Sequence, residues 1–179
     1  MDATATGRSI GLAVLRIILG FGFLYAGLEK VLDFAGSGKP WSAVGFLRFG
    51  TGGTVPNMVG QADPMSHNPT QALWTGLAGN AAAIDLINFL VVAGEIAIGL
   101  ALILGLATRL AGILGAAMMF LFWVAAWDFQ YGVVNLQFVY MILSAFVAYA
   151  SAGKVLGVDA LLEGTAAFTR SPALRTVIG

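Results

Sequence analysis

The stretch GEIAIGLALILGLATR, residues 94–109, places one carboxylate, Glu95, in an otherwise apolar run. Together with the apolar residues before it, this run is long enough to cross a lipid bilayer as a helix. A charged side chain left unpaired in the middle of a bilayer costs at least about 2.5–3.5 kcal/mol. The stretch therefore predicts a membrane protein in which Glu95 has a buried partner, is protonated, or belongs to a functional site.

The composition of the whole chain also indicates a membrane protein. Of its 179 residues 59% are hydrophobic and 10% are charged, whereas a typical soluble domain carries about a quarter charged residues. The net charge is zero, which argues against a nucleic-acid partner, because such a partner selects a basic face. The chain has no cysteine and one histidine. Iron–sulfur clusters, cysteine-ligated zinc and bis-histidine haem are therefore excluded within one chain, and we expect no metal site.

Four segments are apolar enough to span a membrane, and they predict an all-α fold. They cover about residues 10–31, 84–106, 110–127 and 133–152. We expect residues 1–179 to form a single domain, an integral membrane four-helix bundle. Residues 32–83 are expected to form a long external loop that folds over the bundle, because they contain aromatic residues as well as glycines and prolines. Residues 153–179 are expected to form a cytoplasmic tail in which Asp159 caps a surface helix.

The distribution of lysine and arginine predicts the orientation in the cell membrane. Basic residues are denser in the termini and in the turn between the second and third spans than in the long first loop. Cytoplasmic loops carry an excess of such residues, so both termini are expected in the cytoplasm. The first span is expected to stay in the mature protein, because its apolar core is too long for a signal peptide and Arg16 interrupts it.

Helical periodicity places the polar residues of each span on one face. This face holds Arg16 and Lys30 in the first span, Glu95 and Arg109 in the second, and Tyr140 in the fourth. Polar faces in a membrane bundle point to its interior rather than to lipid. From the depth of each residue along its helix, Arg16 is the cation expected to reach Glu95. The two form either a structural ion pair or a functional site, and both interpretations remain open.

Several stretches resemble the DoxX family. LRIILGFGFLYAGLEKV (residues 15–31) is similar to the first span of that family, with its early arginine and late lysine. GEIAIGLALILGLATRLAGILG (residues 94–115) resembles its second span and hairpin, and SAGKVLGVDALL (residues 151–162) resembles its closing turn. The first loop, with WSAVGFLRFGTGG (residues 41–53) and LAGNAAAIDLIN (residues 77–88), resembles the branch that includes DoxD, the membrane subunit of thiosulfate:quinone oxidoreductase.

The resemblance implies a membrane subunit that works with a partner protein and the quinone pool. Glu95 and Arg16 are then the expected catalytic residues, with Glu95 relaying protons. A quinone, or a small sulfur anion such as thiosulfate, would be held by four further residues, Tyr25, Lys30, Arg109 and Tyr140. A quinone is the expected cofactor, because no residue type in this chain carries electrons by itself.

A second interpretation is non-catalytic. The chain would then be an accessory subunit that stabilises a larger respiratory or other membrane complex, which the absence of cysteine fits equally well. Membrane lipid and other protein subunits are the expected partners in both cases. A small-solute transporter is disfavoured, because the sequence shows no duplicated half and no broken helix of the usual kind.

Overall fold

A computed structural model describes residues 3–50, 55–56, 62–63, 68–126, 133–163, 165, 171 and 176–178. Its helices are α1 (Ala3–Ser37), α2 (Gln71–Ala78), α3 (Ala81–Leu104), α4 (Thr108–Ala125), α5 (Leu136–Tyr149) and α6 (Val158–Glu163). Two shorter helical turns are a π-helix, Phe46–Gly50, and a 3-10 helix, Ala152–Lys154. One small antiparallel pairing joins β1 (Val55–Pro56) to β2 (Ala62–Asp63). The predicted all-α class is confirmed.

Among the residues that the structure describes, three helices are long and apolar enough to cross a membrane. They are the stretch Ile10–Asp33 of α1, the whole of α3 and the whole of α4. The predicted fourth span is shorter than expected, since α5 is apolar but has 14 residues. Its length is about 21 Å, less than the roughly 30 Å of bilayer core.

Glycines set the packing of α1 against α3. A side chain at Gly20 would collide with the carbonyl of Gly99, and a side chain at Gly99 would collide with the backbone of Leu24. Lipid gives helices no hydrophobic reason to associate, so close backbone approach at small residues has to supply the contact. These contacts fix the antiparallel register of the two helices, and with it the residues of α1 that face Glu95.

The core lies where α1, α3, α4 and α5 meet. Gly112 of α4 packs directly on the backbone of α5 at Ser144 and Ala148. The buried apolar side chains of this region belong to one cluster: Leu19, Phe23, Ile98, Leu102, Ala111, Met119, Val147 and Ala152. The polar face predicted for α1 points inward as expected, because Arg16 is fully buried and the Lys30 side chain is 17% exposed.

Two segments of the predicted first loop fold onto the start of α3. Ala43 and Leu47 pack with Ala78 and Ile84, with the two loop tryptophans at the edge of this second cluster. The amide of Ala43 donates a 2.8 Å hydrogen bond to Oδ1 of Asn88. The loop is also shorter than predicted, because α1 continues to residue 37 and α3 begins at residue 81. Residues 51–54, 57–61 and 64–67 lie outside the described part.

Asp159 caps a different helix from the one predicted. Its carboxylate accepts hydrogen bonds from the amides of Ala107 (2.7 Å) and Thr108 (2.8 Å), at the start of α4. Asp159 itself lies in the first turn of α6 and is fully buried. The prediction that it caps its own surface helix is wrong, because both of its oxygens are taken by the free amides of α4, which favour a negative charge.

Candidate functional site

The partner of Glu95 is Lys30 of α1. Nζ of Lys30 lies 2.8 Å from Oε2 and 3.0 Å from Oε1 of Glu95. Nζ also donates to the carbonyl oxygen of Ala26, one turn earlier, at 3.1 Å. Nζ of Lys30 thus contacts three acceptor atoms, and an ammonium group has three N–H donors. The Glu95 side chain is 3% exposed, whereas that of Lys30 is 17% exposed.

The predicted pairing of Glu95 with Arg16 is wrong, and the helix register explains why. Gly27 of α1 lies against Glu95, whereas Arg16 lies against Gly105, beyond the end of α3. Arg16 is therefore about 16 Å along α1 from the position that faces Glu95. The prediction also ended the first helix at residue 31. In the structure α1 continues about 10 Å beyond Lys30.

A groove of about 600 Å³ opens beside Lys30. We call it the Lys30 groove, and it is lined by Tyr25, Leu28, Glu29, Lys30, Leu32, Asp33 and Trp41. The ring of Trp41 lies over the ammonium, with Nζ of Lys30 5.2 Å from the ring centroid, a distance at which cation–π attraction acts. Lys30 thus belongs both to the groove and to the buried ion pair, and it connects Glu95 to the surface.

Arg16 lies in a closed polar cluster at the other end of the bundle. Its side chain has no exposed surface. The guanidinium donates to the carbonyl oxygens of Ala152 (2.9 Å), Val155 (3.3 Å) and Leu156 (3.1 Å). The carboxylate of Asp159 is near enough to attract it electrostatically. In this arrangement Arg16 fastens the segment after α5 to α1, and it has no surface on which a ligand could bind.

The other predicted site residues are dispersed. Tyr25 is 70% exposed and lines the Lys30 groove. Tyr140 is half-buried against Phe23, with an edge-to-face ring contact at 6.0 Å between centroids. Arg109 is exposed in the first turn of α4, so it does not share the buried face of Glu95. That expectation was wrong because the hairpin after α3 interrupts the helical phase on which it depended.

Sequence reasoning missed Glu29 and Asp33 as members of the site. Both are exposed and both line the groove. The sequence does contain a pattern that places them in the groove. Residues at intervals of four share a helix face, and Tyr25, Glu29 and Asp33 form such a series. Both residues fall outside the site predicted from the sequence, because Glu29 falls nearly opposite the predicted polar face of Arg16 and Lys30 and the predicted span ends before Asp33. Within the described residues, no group of three histidine, aspartate or glutamate side chains could hold a metal ion.

Comparison with known proteins identifies a family. The family model described as DoxX matches residues 11–128, which is more than half of the chain. The matched range contains both Lys30 and Glu95 together with the groove, whereas the carbonyl partners of Arg16 lie beyond it. No curated protein and no solved structure gives a significant match to this chain.

Proposed function

The chain belongs to the DoxX family of membrane proteins, and from that premise we propose that it is the quinone-binding subunit of a membrane oxidoreductase. The observation that carries the proposal is the Lys30 groove, which joins an ammonium group, two aromatic side chains and two carboxylates at one place. The resemblance of the first loop to the DoxD-like branch supports the same class of function.

The proposal includes an arrangement in the membrane. Helices α1, α3, α4 and α5 form a four-helix bundle in the cell membrane, within a single domain that covers residues 1–179. Both termini lie in the cytoplasm. The Lys30 groove then lies near the outer boundary, beside the folded segment that starts at Trp41. The support is that α1 packs along α3 and α4 along α5, and that the groove is at the end of the first span.

A quinone ring suits the Lys30 groove chemically. Tyr25 and Trp41 offer two aromatic walls, and Lys30 is a donor for a carbonyl oxygen of the quinone. The exposed leucines at positions 28 and 32 line the side on which an isoprenoid tail would meet lipid. The carboxylates of Glu29 and Asp33 can accept hydrogen bonds from the hydroxyl groups of the reduced quinol.

A sulfur dianion such as thiosulfate suits this groove less well. Glu29 and Asp33 would repel it, and the charge of Lys30 is already balanced by Glu95. We therefore assign oxidation of a sulfur anion, in a complex of the thiosulfate-oxidising type, to a partner subunit. The redox cofactor of that subunit would supply the electrons that convert quinone to quinol, and groups beside the groove would supply the protons.

Quinone binding by the purified full-length protein tests the proposal. A short-chain ubiquinone is titrated into the protein in mild detergent, and binding is followed by calorimetry. We expect Trp41→Ala and Tyr25→Ala to weaken binding at least about tenfold, since each removes one wall of the groove. Both side chains lie at the rim rather than in the main core, so these variants are expected to fold.

Lys154→Met is the matched control. Lys154 forms an ion pair with Glu163 at the same 2.8 Å distance, but at the surface. This variant should bind quinone like the wild type. If the wild-type protein binds no quinone, or if neither rim variant weakens binding, the quinone site is refuted and the accessory-subunit interpretation takes its place.

A further inference from the structure

Nζ of Lys30 already contacts three acceptor atoms. Two are the carboxylate oxygens of Glu95 and the third is the carbonyl oxygen of Ala26. A quinone carbonyl in the groove is also an acceptor, so it competes with these atoms for the N–H donors of Lys30. The groove is lined by Trp41, over whose ring Nζ of Lys30 lies, and it is not lined by Glu95. A shift of the ammonium toward the groove therefore moves it away from Glu95.

The Glu95 side chain has almost no solvent contact that could stabilise its charge after Lys30 moves away. Its side chain is 3% exposed, so water cannot replace the lost hydrogen bonds. An isolated ionised carboxylate in an apolar interior is so costly that it takes up a proton instead. The Glu29 carboxylate adds to this cost, because it is near enough to repel the charge of Glu95. The Lys30 ammonium, in contrast, already contacts the ring of Trp41, which lines the groove as well.

The elements around Glu95 offer no replacement cation. On α1 the charged residues near Glu95 are Lys30 and Glu29, of which only the lysine is positive. Helix α2 carries no charged residue, and α4 carries one, Arg109, in its exposed first turn. In the described part of the chain, Lys30 is the cation that contacts Glu95, whereas Lys39 and Arg48, in the segment after α1, are exposed.

We propose that an acceptor ligand in the Lys30 groove binds together with one proton, which Glu95 takes up as Lys30 transfers its hydrogen bond from Glu95 to the ligand. This inference rests on the proposed function, with a quinone carbonyl as the acceptor. The charges balance as follows. The lysine keeps its positive charge, the glutamate becomes neutral, and the complex gains one positive charge because it takes up one proton from the solvent. Departure of the ligand restores the ion pair and releases the proton.

Calorimetry of quinone binding in buffers of different ionisation enthalpy tests the coupling, because it counts protons directly. The protein is the full-length chain in mild detergent, and the probe is ubiquinone-1. For the wild type we expect uptake of about one proton per quinone bound near neutral pH. Affinity should then fall about tenfold for each unit by which the pH rises, because the proton is a co-ligand.

Glu95→Gln separates the coupling from the site itself. The amide fills the same space but is neutral already, so this variant should bind ubiquinone-1 without proton uptake and with an affinity independent of pH. The matched control is Glu163→Gln, which neutralises the surface pair with Lys154 and should keep the proton uptake of the wild type.

The possible outcomes separate the two proposals. Wild-type binding without proton uptake would overturn the coupling and leave the quinone site in place. Proton uptake that persists in Glu95→Gln would also overturn it, because another group would then carry the proton. Absence of quinone binding by the wild type would overturn the proposed function, and the coupling with it.

Discussion

The two halves of the first membrane helix bury a cation in different ways. Arg16 is fully buried, and it donates hydrogen bonds to backbone carbonyls of the segment that follows α5. Lys30 is partly open, and its main partner is a carboxylate that can itself take a proton. Carbonyls cannot change charge, and a guanidinium stays protonated, so the hydrogen bonds between Arg16 and these carbonyls have one protonation state. The pair of Lys30 and Glu95 has two, because either a ligand or a proton can replace one of its contacts.

The largest effect on stability is expected for a substitution of Arg16, in the closed polar cluster. Arg16→Met removes three hydrogen bonds to carbonyls and leaves Asp159 buried without its nearby cation. We expect a loss of about 3–5 kcal/mol in the free energy of unfolding, measured by denaturant titration in detergent micelles. Adding Asp159→Leu should make the loss greater, since Asp159 also caps α4. A double variant more stable than Arg16→Met would show that Asp159 acts only as a counter-charge.

The pair of Lys30 and Glu95 is expected to respond to double substitution in the opposite way: the second substitution should restore stability. Lys30→Met alone leaves a buried charge on Glu95 or forces its protonation, at a cost of about 3 kcal/mol in unfolding free energy. Replacing both residues, with Glu95→Leu as the second change, should restore stability to within about 1 kcal/mol of the wild type. The measurement is the complete double-mutant cycle. A double variant as unstable as Lys30→Met would indicate that the pair is required for packing.

A smaller effect is expected from a glycine beside Arg16. Gly105 has a positive φ of 67°, and a side chain there would collide with the guanidinium. Gly105→Ala should therefore cost about 1–3 kcal/mol in unfolding free energy. Gly11→Ala is the control, because Gly11 lies on α1 with nothing within 4 Å of the added methyl group, and it should gain up to about 1 kcal/mol. Equal effects at the two glycines would contradict a closed cluster around Arg16.

Local patterns in the sequence predicted the class of the protein and the inward face of α1. Hydropathy depends only on the residues of each segment, and helical periodicity depends only on their spacing, so both can be read without a structure. The burial of Arg16 was predictable for this reason. The resemblance to the DoxX family was also carried by short local motifs, and the family match over residues 11–128 confirms it.

The tertiary structure alone decided which charges meet. The choice of Lys30 over Arg16 as the partner of Glu95 depends on the register set where Gly20 meets Gly99, and on a helix end that hydropathy placed too early. Asp159 caps a helix that starts 51 residues before it in the chain, a contact that no local pattern contains. Hydropathy and helical phase determine which side of a helix is buried, but the axial register between two helices depends on backbone contacts at individual small residues. That register determines which charged side chains of the two helices pair with each other.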